Sequence, residues 1–141
     1  MEIRRSEACF LNDLRDLYLE SRQNTFTWLD SNAFQLSDFD SDTKGEEVWV
    51  AIENNQVLGF ISVWDKEGFI HHLYVQTPEV NKGIGSQLLA KIMDYYPRLT
   101  LKCFTLNTHA VRFYTSKGFT IIDTTHKADE SYHTMRLEAY S

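Results

Sequence analysis

Two short stretches of this 141-residue chain carry residue types whose spacing could do chemistry. In the first, Lys82, Gly83, Ile84, Gly85 and Ser86 stand between an alternating aromatic-rich run, HHLYVQ, and a leucine-bearing helical pattern. A helix that begins at residues 83–86 presents unpaired backbone N–H groups and a partial positive charge. Two glycines let the main chain approach a ligand without Cβ interference, and Lys82 adds a cation. The combination fits a phosphate or pyrophosphate. In the second stretch, LNTHAVRFYTSKGF, Asn107 and Tyr114 are two helical turns apart and share a face. Asn107 can donate to and accept from an amide-bearing ligand, and the Tyr114 phenol can give up a proton. Blander uses stand beside these: a structural turn, a helix N-cap and a half-buried helix tyrosine.

Known nucleotide loops do not account for the glycines. A Walker loop needs Lys after its last glycine, but Lys82 precedes Gly83; a Rossmann fingerprint needs a third glycine where Leu88 stands.

The elements that must position these residues follow from periodicity. Residues 2–5 fit a short strand, and Phe10, Leu11, Leu14, Leu17 and Tyr18 have helical spacing. Residues 24–44 are polar, acidic and studded with aromatics, with a short helix expected near 31–36. Phe26 and Trp28 there are candidate acceptor contacts or, equally, packing over the core edge. EVWVAI (47–52) and VLGFISVW (57–64) read as a hairpin about Asn54 and Asn55, and a turn at 65–68 leads into FIHHLYVQ. Ile84, Leu88, Leu89, Ile92, Met93 and Tyr96 form one helical face that Pro97 stops. LTLKCF (99–104), a helix from Asn107 through Lys117, and a closing hairpin complete the order β-α-(α)-β-β-β-α-β-α-β-β. The fold class is α/β (mixed α+β), in a single domain over 1–141.

Composition narrows the function classes. A net charge of −6 without a basic block argues against nucleic acid as a partner. No apolar run is long enough to span a membrane, and the N-terminal residues lack the apolar core of a signal peptide. Cys9 and Cys103 are the only cysteines, so neither a disulfide framework nor a cysteine zinc spacing is offered. A reduced cytoplasmic location, and no metal, are the expectations.

Taken together, VNKGIGSQLL after a strand and then N-x-x-A-x-x-F-Y-x-x-x-GF resembles the GNAT superfamily of acyl-CoA N-acyltransferases. The resemblance implies a central, mixed, mostly antiparallel sheet of about seven strands flanked by helices and splayed between the strands at 69–76 and 99–104. It implies acetyl-CoA as acyl donor, its pyrophosphate on Val80, Asn81, Lys82, Gly83, Ile84, Gly85 and Ser86. The pantetheine arm would pair with Leu73, Tyr74 and Val75 like an added strand and touch Asn107, with Tyr114 beside the sulfur as acid. Val80 and Asn81 depart from the family, which often has Gln or Arg and then Gly at these positions.

The reaction implied is direct attack of a primary amine, on a small molecule or a peptide, through a ternary complex. Strict alternation puts Phe69, His71, Leu73 and Val75 on one face of their strand and Ile70, His72 and Tyr74 on the other. His71 is therefore the first candidate base; His72 is the second, since a bulge would shift the alternation. Tyr132 is a candidate acceptor contact, whereas Cys103 reads as a small buried strand residue. The alternatives are a non-catalytic coenzyme-A-binding sensor and an interaction module built on the aromatic loop. Monomer and homodimer both stay open.

Overall fold

The computed structural model describes residues 1–64, 66–76 and 83–138. The strands are β1 (Glu2–Arg5), β2 (Glu47–Glu53), β3 (Gln56–Trp64), β4 (Phe69–Val75), β5 (Arg98–Phe104), β6 (Thr120–Thr125) and β7 (Tyr132–Glu138). They form one sheet in the order β1-β2-β3-β4-β5-β7-β6, in which only β4 and β5 are parallel. Short links explain the antiparallel pairs. Between β2 and β3, Asn54 and Asn55 both take positive φ, 53° and 62°, the conformation a two-residue hairpin turn demands. The parallel pair needs a crossover, and helix α3 (Ile84–Met93) supplies it.

The helices α1 (Leu11–Thr25) and α2 (Asp38–Asp42) cover one face of the sheet, while α3 and α4 (Thr108–Ser116) cover the other. Period-two alternation sorts the strand residues between two cores. Val50, Ile52, Val57 and Phe60 pack with Leu14, Leu17, Tyr18 and Phe39. Trp49, Ala51, Ile61, Val63 and Ile70 pack with Ile84, Leu88, Leu89 and Ile92. Burying these faces is the dominant favourable contribution to folding.

Two helices differ from the sequence reading. Residues 31–33 make only a 3-10 turn, and the short helix comes later, at 38–42. Asp38 is the reason: its Oδ2 accepts from the Gln35 N–H at 2.8 Å and from Arg22 at 3.2 Å, which fixes the chain just before the helix. Phe39 then anchors α2 in the core at 4% exposure. Helix α3 ends at Met93, short of Tyr96, because Asp94 and Tyr95 bond back to Lys91 and Ile92 in a tightened last turn.

Close approach at one position sets how α3 sits on the sheet. A Cβ on Gly59 would lie 2.9 Å from the Tyr74 carbonyl oxygen and 3.3 Å from Ile84 and Val75 side chains. We therefore expect Gly59→Ala to cost about 1–3 kcal/mol in urea unfolding, the range for overpacking. A midpoint equal to that of the parent would mean the approach is looser than described.

Candidate active site

The parallel pairing of β4 and β5 is brief: Phe69 opposes Thr100 and Ile70 opposes Leu101. Beyond those two pairs β4 runs to Val75 and β5 to Phe104 as diverging strands, as expected for a splayed sheet. At the opening lies a cavity of about 460 Å³. Leu73, Tyr74 and Val75 supply one wall, residues 83–86 another, and Asn107, His109, Ala110, Phe113 and Tyr114 a third. The C-terminal turn of α1, with Ser21, Asn24 and Thr25, closes it. Nothing in the sequence marked that turn or His109, since polar residues at a helix end have no distinctive spacing.

Each wall has a local cause. Gly83 caps α3 in the left-handed conformation, φ 82°, where an L side chain would be strained. Its carbonyl accepts from the Gln87 N–H, so the N–H groups of residues 84–86 have no carbonyl of their own helix to bond and stand at the cavity. Val80, Asn81 and Lys82 lie outside the described residues. Asn107 caps α4: its Oδ1 accepts from the Ala110 N–H at 3.3 Å. The cap occupies the amide oxygen and leaves the amide NH2 for a ligand in the same cavity. The N-cap use of Asn107 is the one observed.

Tyr114 is held edge-on by Phe113 and Phe119, with ring centroids 5.2 and 5.3 Å away. It is 8% exposed, and burial, reinforced by the nearby Cys103 thiol and Tyr74, pushes its phenol well above the usual range. The group stays protonated and can act as a proton donor. Burial also pushes the Cys103 thiol up to about 11, which keeps it a thiol rather than a nucleophilic thiolate.

The histidines depart from simple alternation. Ser62 pairs with His72 and Val63 with Ile70, so His71 is an extra residue on β4, a β-bulge. After it, Leu73 and Val75 keep to the α3 side while His72 and Tyr74 turn to Tyr18 of α1. His71 does not share the Leu73 face. It stacks near His72, ring centroids 3.9 Å apart, and its Nδ1 is 2.5 Å from Glu46 Oε2. Neither histidine lines the cavity that holds Tyr114. Phe26 and Trp28 meet at 5.5 Å and both pack edge-on against Phe104, at the end of β5 opposite Tyr132. The Trp28 indole N–H is buried without a hydrogen-bond partner among the described residues. Phe104 joins this rim although it read as an ordinary strand aromatic.

As chemistry, the arrangement can cradle an anion at the start of α3, lay an amide-bearing arm along the open edge of β4, and offer a proton from Tyr114 at its far end. Among the described residues no helix is long and apolar enough to cross a membrane.

Known proteins share this organisation. The model of the GNAT acetyltransferase family matches residues 11–119. The peptidyl-lysine N-acetyltransferase YiaC of Escherichia coli is 33% identical over 75 residues, an alignment covering 53% of this chain and 51% of that protein. The chain thus spans about half the length of that relative. An uncharacterized N-acetyltransferase of Archaeoglobus fulgidus is 28% identical over 141 residues, covering 83% of this chain and 91% of its own. The structure of yncA, described as a putative acetyltransferase from Salmonella typhimurium with its cofactor acetyl-CoA, superposes with a TM-score of 0.75. It is 20% identical and covers 100% of this chain and 95% of its own.

Burial, then the neighbouring His71 and Arg22, lowers the His72 pKa from 6.5 to about 3. In that window the unfolded chain takes up a proton on His72 that the folded chain refuses. The stability present above pH 6.5 is therefore lost progressively as pH falls towards 3. Replacing His72 with Gln should flatten the slope of unfolding free energy against pH there, whatever it does to the absolute value. Parallel slopes in the two proteins would show that His72 titrates normally when folded.

Proposed function

The chain belongs to the GNAT acetyltransferase family, and on that premise we propose that it transfers an acetyl group from acetyl-CoA to a primary amine by direct attack in a ternary complex. The observation that carries this reading is the continuous cavity that joins the start of α3 to Tyr114 along the open edge of β4.

The N–H groups of residues 84–86 receive the pyrophosphate, helped by the positive end of the α3 dipole. Leu73, Tyr74 and Val75 offer backbone donors and acceptors to the pantetheine amides, and the Asn107 NH2 adds a contact. Backbone N–H groups at the same opening can stabilise charge that develops on the thioester oxygen. Tyr114, which lines the same cavity, gives its proton to the departing thiolate as the C–S bond breaks.

The amine must arrive neutral. His71 takes its proton through water: the Nδ1–H faces Glu46, which leaves the Nε2 lone pair outward on a side chain 43% exposed. His72 is less suited, since both its ring nitrogens are engaged within the fold. The Phe26, Trp28 and Tyr132 rim receives the acceptor. A lysine side chain, as in the name of YiaC, fits this description.

Tyr114→Phe keeps the ring and its packing, so it should lower kcat by about a hundredfold or more, the usual loss for a general acid. Acetyl-CoA should still stabilise this variant as it does the parent, by about 2.7 kcal/mol of unfolding free energy at a hundredfold excess over Kd, with ATP giving none. Undiminished kcat removes Tyr114 from the chemistry; no acetyl-CoA shift in the parent removes the transfer reading itself. His71→Ala should lower kcat/KM by about a hundredfold or more while acetyl-CoA still stabilises the variant, and an undiminished kcat/KM would assign the base elsewhere.

A further inference from the structure

The bulge in β4 has a second effect. Successive residues of a regular strand point to opposite faces, but here two consecutive histidines reach the same carboxylate. Glu46, in the bend before β2, places Oε2 2.5 Å from His71 Nδ1 and Oε1 3.9 Å from His72 Nδ1. Its side chain is only 5% exposed. Oε1 is fully buried and has no hydrogen-bond partner among the described residues.

What faces that oxygen follows from the partners of His72. The Tyr18 hydroxyl donates to Asp42 Oδ2 at 2.6 Å, so its remaining bond, 3.1 Å to His72 Nε2, must be one in which Nε2–H donates. His72 is then neutral with its lone pair on Nδ1, towards which the Ser62 hydroxyl donates at 2.9 Å. A buried carboxylate oxygen and an imidazole lone pair thus confront each other with no proton between them. Such a confrontation is unfavourable in a low-dielectric interior unless a positive charge is shared.

We propose that Glu46, His71 and His72 form a binding site for a divalent transition-metal ion of the zinc class. The three ligand atoms already lie within 4.8 Å of one another. Two imidazoles and a carboxylate are a donor set suited to such ions and not to calcium or magnesium, which take oxygen ligands. Bond lengths near 2.0–2.2 Å require ligand atoms roughly 3.2–3.5 Å apart, so His72 and Glu46 close slightly and His71 and Glu46 open slightly. On binding, the single His71 proton passes through solvent from Nδ1 to Nε2, which frees the Nδ1 lone pair for the ion, and His72 exchanges the Ser62 hydroxyl for the ion. The Nε2–H of His72, directed through Tyr18 to Asp42, supplies the outer hydrogen bond that orients a metal-bound imidazole. His71 opens to solvent, which leaves an entry path and a coordination position for water.

The test is titration of Zn2+ into the EDTA-stripped, dialysed protein, read by calorimetry and by competition with a chromophoric chelator. One equivalent should bind, with a rise in the unfolding midpoint and no comparable effect of Ca2+ or Mg2+. His71→Ala and Glu46→Gln should abolish that stoichiometric binding. Tyr18→Phe removes the hydroxyl that links His72 to Asp42, leaves the three ligands in place and should weaken binding by about 10–100-fold. Thermal unfolding in EDTA establishes that each variant is folded, and His71, being exposed, is the variant least able to disturb the fold. Zn2+ bound equally well by the parent and by His71→Ala, or not bound by the parent at about 100 μM, overturns the proposal. Because binding and stability are the readouts, the result stands apart from whether acetyl transfer is observed.

Discussion

Two residue pairs of parallel ladder, Phe69 with Thr100 and Ile70 with Leu101, are all that joins β4 to β5, and the site depends on that brevity. Past them the strands leave backbone donors and acceptors without a neighbour, which a protein interior tolerates only where something polar can reach them. The gap does not close because each strand is held from its outer side. Antiparallel pairing with β3 continues to Val75, and pairing with β7 continues to Phe104. Helix α3 then fits closely over the β3 side through the missing side chain of Gly59. An opening between two well-anchored strands is a preformed cleft, not a loose end.

The electrostatics of the interior favour neutral forms on both sides of the sheet. Tyr114 on the α4 side, and Tyr18 and Tyr74 towards α1, are all raised chiefly by burial, while His72 is lowered by it. The buried charge of Arg22 is compensated. Arg22, 6% exposed, pairs with Asp38 at 3.2 Å, donates to the Tyr18 and Gln35 carbonyls, and lies over the Tyr18 ring at 3.8 Å. Removing one partner of such a buried pair is far more damaging than the pair is stabilising, so this arginine ties the 34–38 segment to α1 with little tolerance. The polar floor beneath the histidines thus rests on a fixed α1–α2 frame.

Elements with a strong period were legible from the chain: the three-strand meander, α3 with its glycine start, and α4 with Asn107 and Tyr114 on one face. The loops were less so. The acidic segment before β2 carries no period, and the Asp38 side chain, through bonds to Gln35 and Arg22, moved its helix towards β2. The histidine face was misassigned because an inserted residue has no local signature in an aromatic-rich run; only the pairing with Ser62 and Val63 reveals it. Glu46 was invisible for another reason: it meets His71 across 25 positions of sequence, a distance that a tertiary fold spans and a motif does not.

That inserted residue has an architectural corollary. Ile70 packs on the α3 side and His72 on the α1 side, which is the alternation adjacent residues of an uninterrupted strand would show. Excising position 71 would leave both cores filled by the same side chains and merely straighten the ladder. His71 is thus superfluous to the architecture, an ornament that one codon gained or lost could add to or strip from a scaffold otherwise complete. Related chains that differ in length by a single residue at this point would share every core contact and yet differ in whether an exposed imidazole stands over the buried carboxylate.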